Sequence, residues 1–254
     1  VNKGAEMMKA VKYLILCAVL LVINSPVQVN AAKKSGEVKL KSYLIDVTGD
    51  GQKDQLTLYG IPFGERTKYY KEFKLVLNNQ KGKAVYQIPG GFSPELMLAD
   101  ANSDKVLEVI LEVPTGGSAG ACDYYAFNVY NQAIEELPLP EPLNLNGSFK
   151  NNYRASFIIP ENNQSFVLDL KKHKPVYDRL GMYKKGKLNE PQETLIGEFY
   201  SLAVKDTNKD GINELVAKQT ISGASISDII AEVSSIWVYQ EENWILKKVE
   251  VETK

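Results

Sequence analysis

The chain has 254 residues, of which 44% are hydrophobic and 24% charged, and its formal net charge is −1. This composition excludes wholesale disorder, because there is enough apolar surface to bury a core. It also excludes nucleic acid as the expected partner, since no basic run exists that could track a phosphate backbone.

The first thirty residues read as an export signal. Lys9 and Lys12 supply a positive start, and Tyr13 to Ile23 is an uninterrupted apolar run too short to span a bilayer as a lone helix. Ser25 and Pro26 break the run, and Val29-Asn30-Ala31 then fits the −3 and −1 subsites of a cleavage site. Cleavage is expected between Ala31 and Ala32, leaving no transmembrane anchor. Leu16, ahead of Cys17, is too large for a lipobox. Residues 1–6 read as untranslated, because codons for Lys3-Gly4-Ala5 can form a bacterial ribosome-binding site just before Met7 and Met8. Removing residues 1–31 takes away three lysines and one glutamate and leaves a net charge of −3. Cys122 is then the sole cysteine, so an internal disulfide is impossible, and stability must come from packing and from metal.

Short apolar runs bounded by turn residues follow, which is the signal of strands. The first group is Tyr43–Ile45, Leu56–Tyr59, Phe73–Leu77 and Ala84–Ile88. The second is Leu96–Ala99, Val109–Val113 and Tyr125–Tyr130. Phe149 to Leu170 is strand-like without an acidic loop. Segment 171–194, rich in lysine, reads as a hairpin or excursion with a solvated face. The last group is Tyr200–Val204, Leu215–Ala217, Ile236–Tyr239 and Trp244–Val251. Ser227 to Val233 is the one stretch expected to be helical.

Between the first two runs of three groups lies a nine-residue acidic segment. These begin at Asp46, Asp100 and Asp206, one and then two periods of about 53 apart, as in a repeat architecture. Oxygen-bearing side chains stand at positions 1, 3, 5 and 9 of each: Asp46, Thr48, Asp50 and Asp54; Asp100, Asn102, Asp104 and Glu108; Asp206, Asn208, Asp210 and Glu214. A hard cation such as calcium takes six to eight oxygens at flexible geometry, and such a loop supplies most of them. Gly51 and Gly211 at position 6 permit the sharp turn; Lys105 replaces the glycine in the middle loop, which makes the turn costly and brings a cation near. The flanks are strands and position 12 is not Glu, so this is no EF-hand. A hydrogen-bonded Asx-turn network without metal is the other reading.

The pattern apolar-Asp-x-Asn/Thr-x-Asp-Gly-x-x-Asp/Glu between two strands resembles the FG-GAP/VCBS type of repeat over roughly residues 40–115 and 195–250. The resemblance implies calcium bound by those side chains, with the Gln52 carbonyl in the first loop and the Ile212 carbonyl in the last.

Other features carry less. His173, the sole histidine, is expected on the solvated surface, without partners for zinc or a triad. Gly116 to Gly120 lacks a P-loop lysine and reads as a hairpin loop. Nothing sets Glu135, Glu136 and Glu161 across a cleft as a glycosidase pair.

The expected fold is therefore all-β, with about four blade-like antiparallel units in a propeller-like arrangement, one of them degenerate. A β-sandwich with residues 149–195 inserted is the alternative. The expected function is that of a non-catalytic, calcium-stabilised module of the cell envelope or spore layers that binds a protein or glycan. A hydrolase on a propeller-like scaffold is the rival.

Overall fold

The structure is a computed structural model and describes residues 36–117, 120–130 and 132–254; the expected signal segment lies outside the described residues. Four antiparallel meanders follow one another along the chain. The first is β1 (Val38–Ile45), β2 (Asp54–Pro62), β3 (Tyr69–Asn79) and β4 (Gly82–Phe92). The second is β5 (Glu95–Ala99), β6 (Glu108–Pro114), β7 (Cys122–Tyr130) and β8 (Ala133–Glu136). The third has only three strands, β9 (Asn146–Lys150), β10 (Arg154–Ile159) and β11 (Gln164–Asp169). After a 3₁₀ turn at Lys171–His173, the short helix α1 (Lys174–Arg179) and a two-residue ribbon, β12 (Tyr183–Lys184) with β13 (Lys187–Leu188), comes the fourth. It comprises β14 (Leu195–Lys205), β15 (Glu214–Ser222), β16 (Ile229–Gln240) and β17 (Asn243–Thr253). The fold is thus nearly all-β, as expected, and none of these sheets closes into a barrel. Among the described residues no helix is long and apolar enough to cross a membrane.

Alternation explains the sheets. In β3, Phe73, Leu75 and Leu77 are buried while their neighbours are not, which is the period of a strand with one face in a core. β6 differs: Val109, Ile110 and Leu111 are all buried, as in a strand covered on both faces. Val109 and Leu111 join the cluster of Leu56, Leu58, Phe73 and Leu75 from the first sheet. Ile110 and Ala126 face the other way, into a cluster shared by the third sheet, Tyr177 of α1 and the fourth sheet. The second sheet is therefore the layer between the two cores. Truncating a large buried side chain such as Phe73 would cost about 3–5 kcal/mol.

Two local expectations fail. Ser227–Val233 is not helical; from Ile229 it is β16, pairing with β15 and β17, with Ile230, Ala231 and Val233 fully buried between them. Tertiary pairing overrides the local pattern here. The helical turn lies instead in the excursion, where Pro175 sits in the first turn of α1, the position at which its missing N–H costs nothing.

Candidate metal centre

The three acidic segments become the β1–β2, β5–β6 and β14–β15 connections, and all are closed at the same register. Ile45 pairs with Asp54, Ala99 with Glu108, and Lys205 with Glu214, so position 9 is always the first residue of the second strand. That placement buries the position-9 carboxylate, leaving Asp54 1%, Glu108 1% and Glu214 3% exposed.

One hydrogen-bond circuit recurs in all three loops. The position-9 carboxylate accepts the position-2 N–H: Val47 at 3.1 Å, Ala101 at 2.6 Å and Thr207 at 2.6 Å. The position-1 Asp accepts the position-6 N–H: Gly51 at 2.7 Å, Lys105 at 3.0 Å and Gly211 at 3.0 Å. The position-5 Asp accepts the position-7 N–H of Gln52, Val106 or Ile212, at 2.9, 2.8 and 2.8 Å. Asn102 and Asn208 at position 3 each donate to the position-5 carboxylate, at 3.1 and 2.9 Å. Position 6 is left-handed in every loop, with φ of 81° at Gly51, 76° at Lys105 and 88° at Gly211. Lys105 adopts the glycine conformation despite its β-carbon, held there by the Asp100 carboxylate.

The loops also touch one another. A β-carbon added at Gly49, where φ is 71°, would stand 2.7 Å from Val106 Cγ2, so the first loop lies directly against the second. Asn213 of the third loop donates its backbone N–H to Ser103 Oγ and its amide to the Asp100 carbonyl, both at 2.8 Å. The three loops form one contiguous row.

Their electrostatics differ. In the first loop Lys81 lies 2.7 Å from Asp50 Oδ2; this ammonium, with the Gln52 N–H, holds the Asp50 carboxyl below the usual range. Asp54 accepts four donors, the last from Asn79 at 2.7 Å. In the middle loop burial, aided by Asp104 and Asp100 and opposed by the Ala101 and Asn102 N–H groups, pushes Glu108 up to about 7. Asp100 Oδ1 there is buried and has no hydrogen-bond partner. Among the described residues, Lys81–Asp50 is the one ion pair that involves a loop carboxylate.

Among the described residues no three His, Cys, Asp or Glu side chains converge tightly enough to hold a metal ion. A calcium ion would therefore draw on amide, hydroxyl and carbonyl oxygens beside the carboxylates. The orphaned Asp100 Oδ1 is the feature that fits a cation, and it lies in the middle loop, where Lys105 pointed the other way. Asn79, Lys81, Ser103 and Asn213, which brace the loops, escape the repeat spacing because they lie outside positions 1, 3, 5 and 9.

His173 is not on the solvated surface. The 3₁₀ turn leaves Lys171 outside and rotates His173 inward, so that its side chain is 15% exposed with Nδ1 3.2 Å from Asp228 Oδ1. Its ring stacks on Tyr177, whose hydroxyl donates to Asp228 Oδ2 at 2.8 Å. This cluster pins the excursion to the fourth sheet. Glu135 and Glu136 accept the hydroxyls of Tyr130 and Tyr86, and Glu161 accepts the Asn144 N–H. Adjacent residues on a strand point to opposite faces, so the first two do not form a facing pair.

The fold and loops define an all-β protein of consecutive antiparallel meanders, in three of which an Asp-rich clasp joins the first two strands. A family model, described as the YybI C-terminal domain, matches residues 143–252. The chain is similar to the uncharacterized protein YybI of Bacillus subtilis (strain 168), with 28% identity over 211 residues that make up 80% of each chain. No solved structure matches significantly. The expected FG-GAP/VCBS membership is corrected by these matches: the family model found is the YybI C-terminal domain, and no FG-GAP/VCBS match was found. The matched stretch runs without a break from the third sheet through the excursion to the fourth, elements that share one core.

Proposed function

We propose that this chain is an exported, non-catalytic β-repeat module of the cell envelope or spore layers, stabilised by calcium and acting as a binding or structural unit. Its meanders are taken as successive blade-like units in a propeller-like arrangement, the three-stranded one being the degenerate member. The observation that carries the reading is the contiguous row of three loops built on one circuit, with the buried Asp100 Oδ1 left unpartnered in its middle. Asp100, Asn102, Asp104 and Glu108 would hold the ion there, and their counterparts would hold it in the outer loops. The ion supplies countercharge to carboxylates that otherwise face each other. Export rests on the sequence of residues 1–31. Fractionation and mass spectrometry test the proposal: the protein should be recovered from the envelope or spore fraction beginning at Ala32, and chelator should release it. An intact N-terminal segment on protein from the cell interior would contradict it.

A further inference from the structure

We propose that the concavity between β7, β14 and the Leu137–Leu143 segment is a binding site for an organic cation bearing primary ammonium or guanidinium groups. Its volume is about 360 Å³, at the lower end of preformed small-ligand pockets. Four carboxylates line it, those of Asp123, Glu136, Glu141 and Glu198, and no lysine, arginine or histidine does. The ion pairs recorded among the described residues leave all four without a cation.

The remaining lining suits the rest of such a ligand. Tyr124, Tyr125 and Phe199 place aromatic rings in the lining, a residue type whose quadrupole attracts cations. Leu139 and Leu202 offer apolar surface for an aliphatic stem. The Tyr124 hydroxyl is buried without a hydrogen-bond partner, and burial together with Glu112 keeps it protonated far above neutral pH. The carboxylates are spread around the hollow rather than gathered on a point, which disfavours a bare metal ion and favours charges spaced along a chain.

The wall is fixed before any ligand arrives. Leu137 N–H donates to the Ala126 carbonyl at 2.8 Å, and Trp244 Nε1 donates to the Pro138 carbonyl at 2.8 Å. At the far end the buried Gln219 side chain takes the Leu143 N–H at 2.8 Å and gives to its carbonyl at 3.0 Å. Pro138, Pro140 and Pro142 restrict the backbone between these anchors. A preformed wall spares the ligand most of the ordering cost.

A free polyamine and the lysine or arginine side chains of a basic protein segment share this chemistry. Calorimetry on the full chain at low salt would use spermidine, a trilysine peptide and their neutral counterparts, triacetylated spermidine and triglutamine. Both cations should bind and both neutral probes should not, with affinity falling as salt rises. Glu198→Gln and Glu141→Gln should each weaken binding about threefold, while Glu190→Gln, outside the cavity, should leave it unchanged. Trilysine binding tighter than spermidine would assign the site to a basic partner protein, and the reverse to a free polyamine. The proposal is overturned if neither cation binds, if the neutral probes bind equally, or if the Glu198 and Glu141 variants, checked for an unchanged melting curve, bind as the parent does. Run in chelator, the assay reads this site whether or not the loops bind calcium.

Discussion

Replacing Asp54 with alanine should be the most damaging change in any of the loops. Asp54 is 1% exposed, and its Oδ2 accepts the N–H of Val47 at 3.1 Å, the N–H of Thr48 at 3.2 Å and the Thr48 hydroxyl at 3.1 Å. Its Oδ1 accepts the Asn79 amide at 2.7 Å. Truncation strands several of these donors at once, and Val47 is fully buried, so water cannot replace its partner. An unsatisfied buried donor costs about 1–3 kcal/mol, and breaking a buried charged network about 3–5 kcal/mol. The expected loss is thus about 4 kcal/mol, or roughly 8–16 °C in Tm for a domain of this size. Urea denaturation in chelator isolates the hydrogen-bond contribution from any bound ion. Glu214→Ala, which removes the single acceptor of the Thr207 N–H, should cost much less. If the two variants lose equal stability, or Asp54→Ala loses under about 1 kcal/mol, the carboxylate is not the keystone of its loop.

Three further outcomes follow from individual side chains. In chelator, Glu108 has a folded pKa of about 7 against the usual 4.5, so the stability linked to its protonated form is complete below pH 4.5 and lost as pH rises through 7. Glu108→Gln should remove a pH dependence of up to about 3 kcal/mol, and denaturation curves of parent and variant that stay parallel from pH 4 to 8 would refute this. Lys105→Gly should raise stability by about 1 kcal/mol, because φ of 76° strains any residue with a β-carbon; an unchanged Tm would show the strain to be absent. Partial burial, with Glu112, pushes the Cys122 thiol up to about 11 from 9.0, so alkylation at pH 8 should be about a hundredfold slower than for an ordinary thiol, and equal rates would contradict the half-buried placement beside Glu112.

The strands were legible because alternation records which face is buried: Phe73, Leu75 and Leu77 announce β3 without any tertiary information. The loops were legible because their register and spacing are local. What they meant at family level was not. Asp at positions 1 and 5 with Asp or Glu at position 9 is what this hydrogen-bond circuit requires, and the family match over 143–252 includes only the last of the three loops. Residues 227–233 carried a helix-compatible pattern that pairing with β15 and β17 overruled. His173 looked solvated inside a lysine run because its partner Asp228 is 55 residues away in sequence. The cavity was invisible for the same reason, as Asp123, Glu141 and Glu198 come from three separate stretches of chain.

The central claim is that these loops are calcium clasps, and calorimetry paired with melting curves tests it most directly. A ligand that binds only the folded state stabilises it by RT ln(1 + [L]/Kd), so sites of roughly 10⁻⁴–10⁻³ M affinity in millimolar calcium add on the order of 1 kcal/mol each. The account predicts measurable binding heat and a Tm that falls several degrees on chelation. It predicts further that Asp210→Ala removes part of that response, and that Asp104→Ala removes at least as much, since the orphaned carboxylate oxygen belongs to Asp100 of the same loop. No binding heat and a melting curve unmoved by chelator would show the loops to be hydrogen-bonded turns that need no metal.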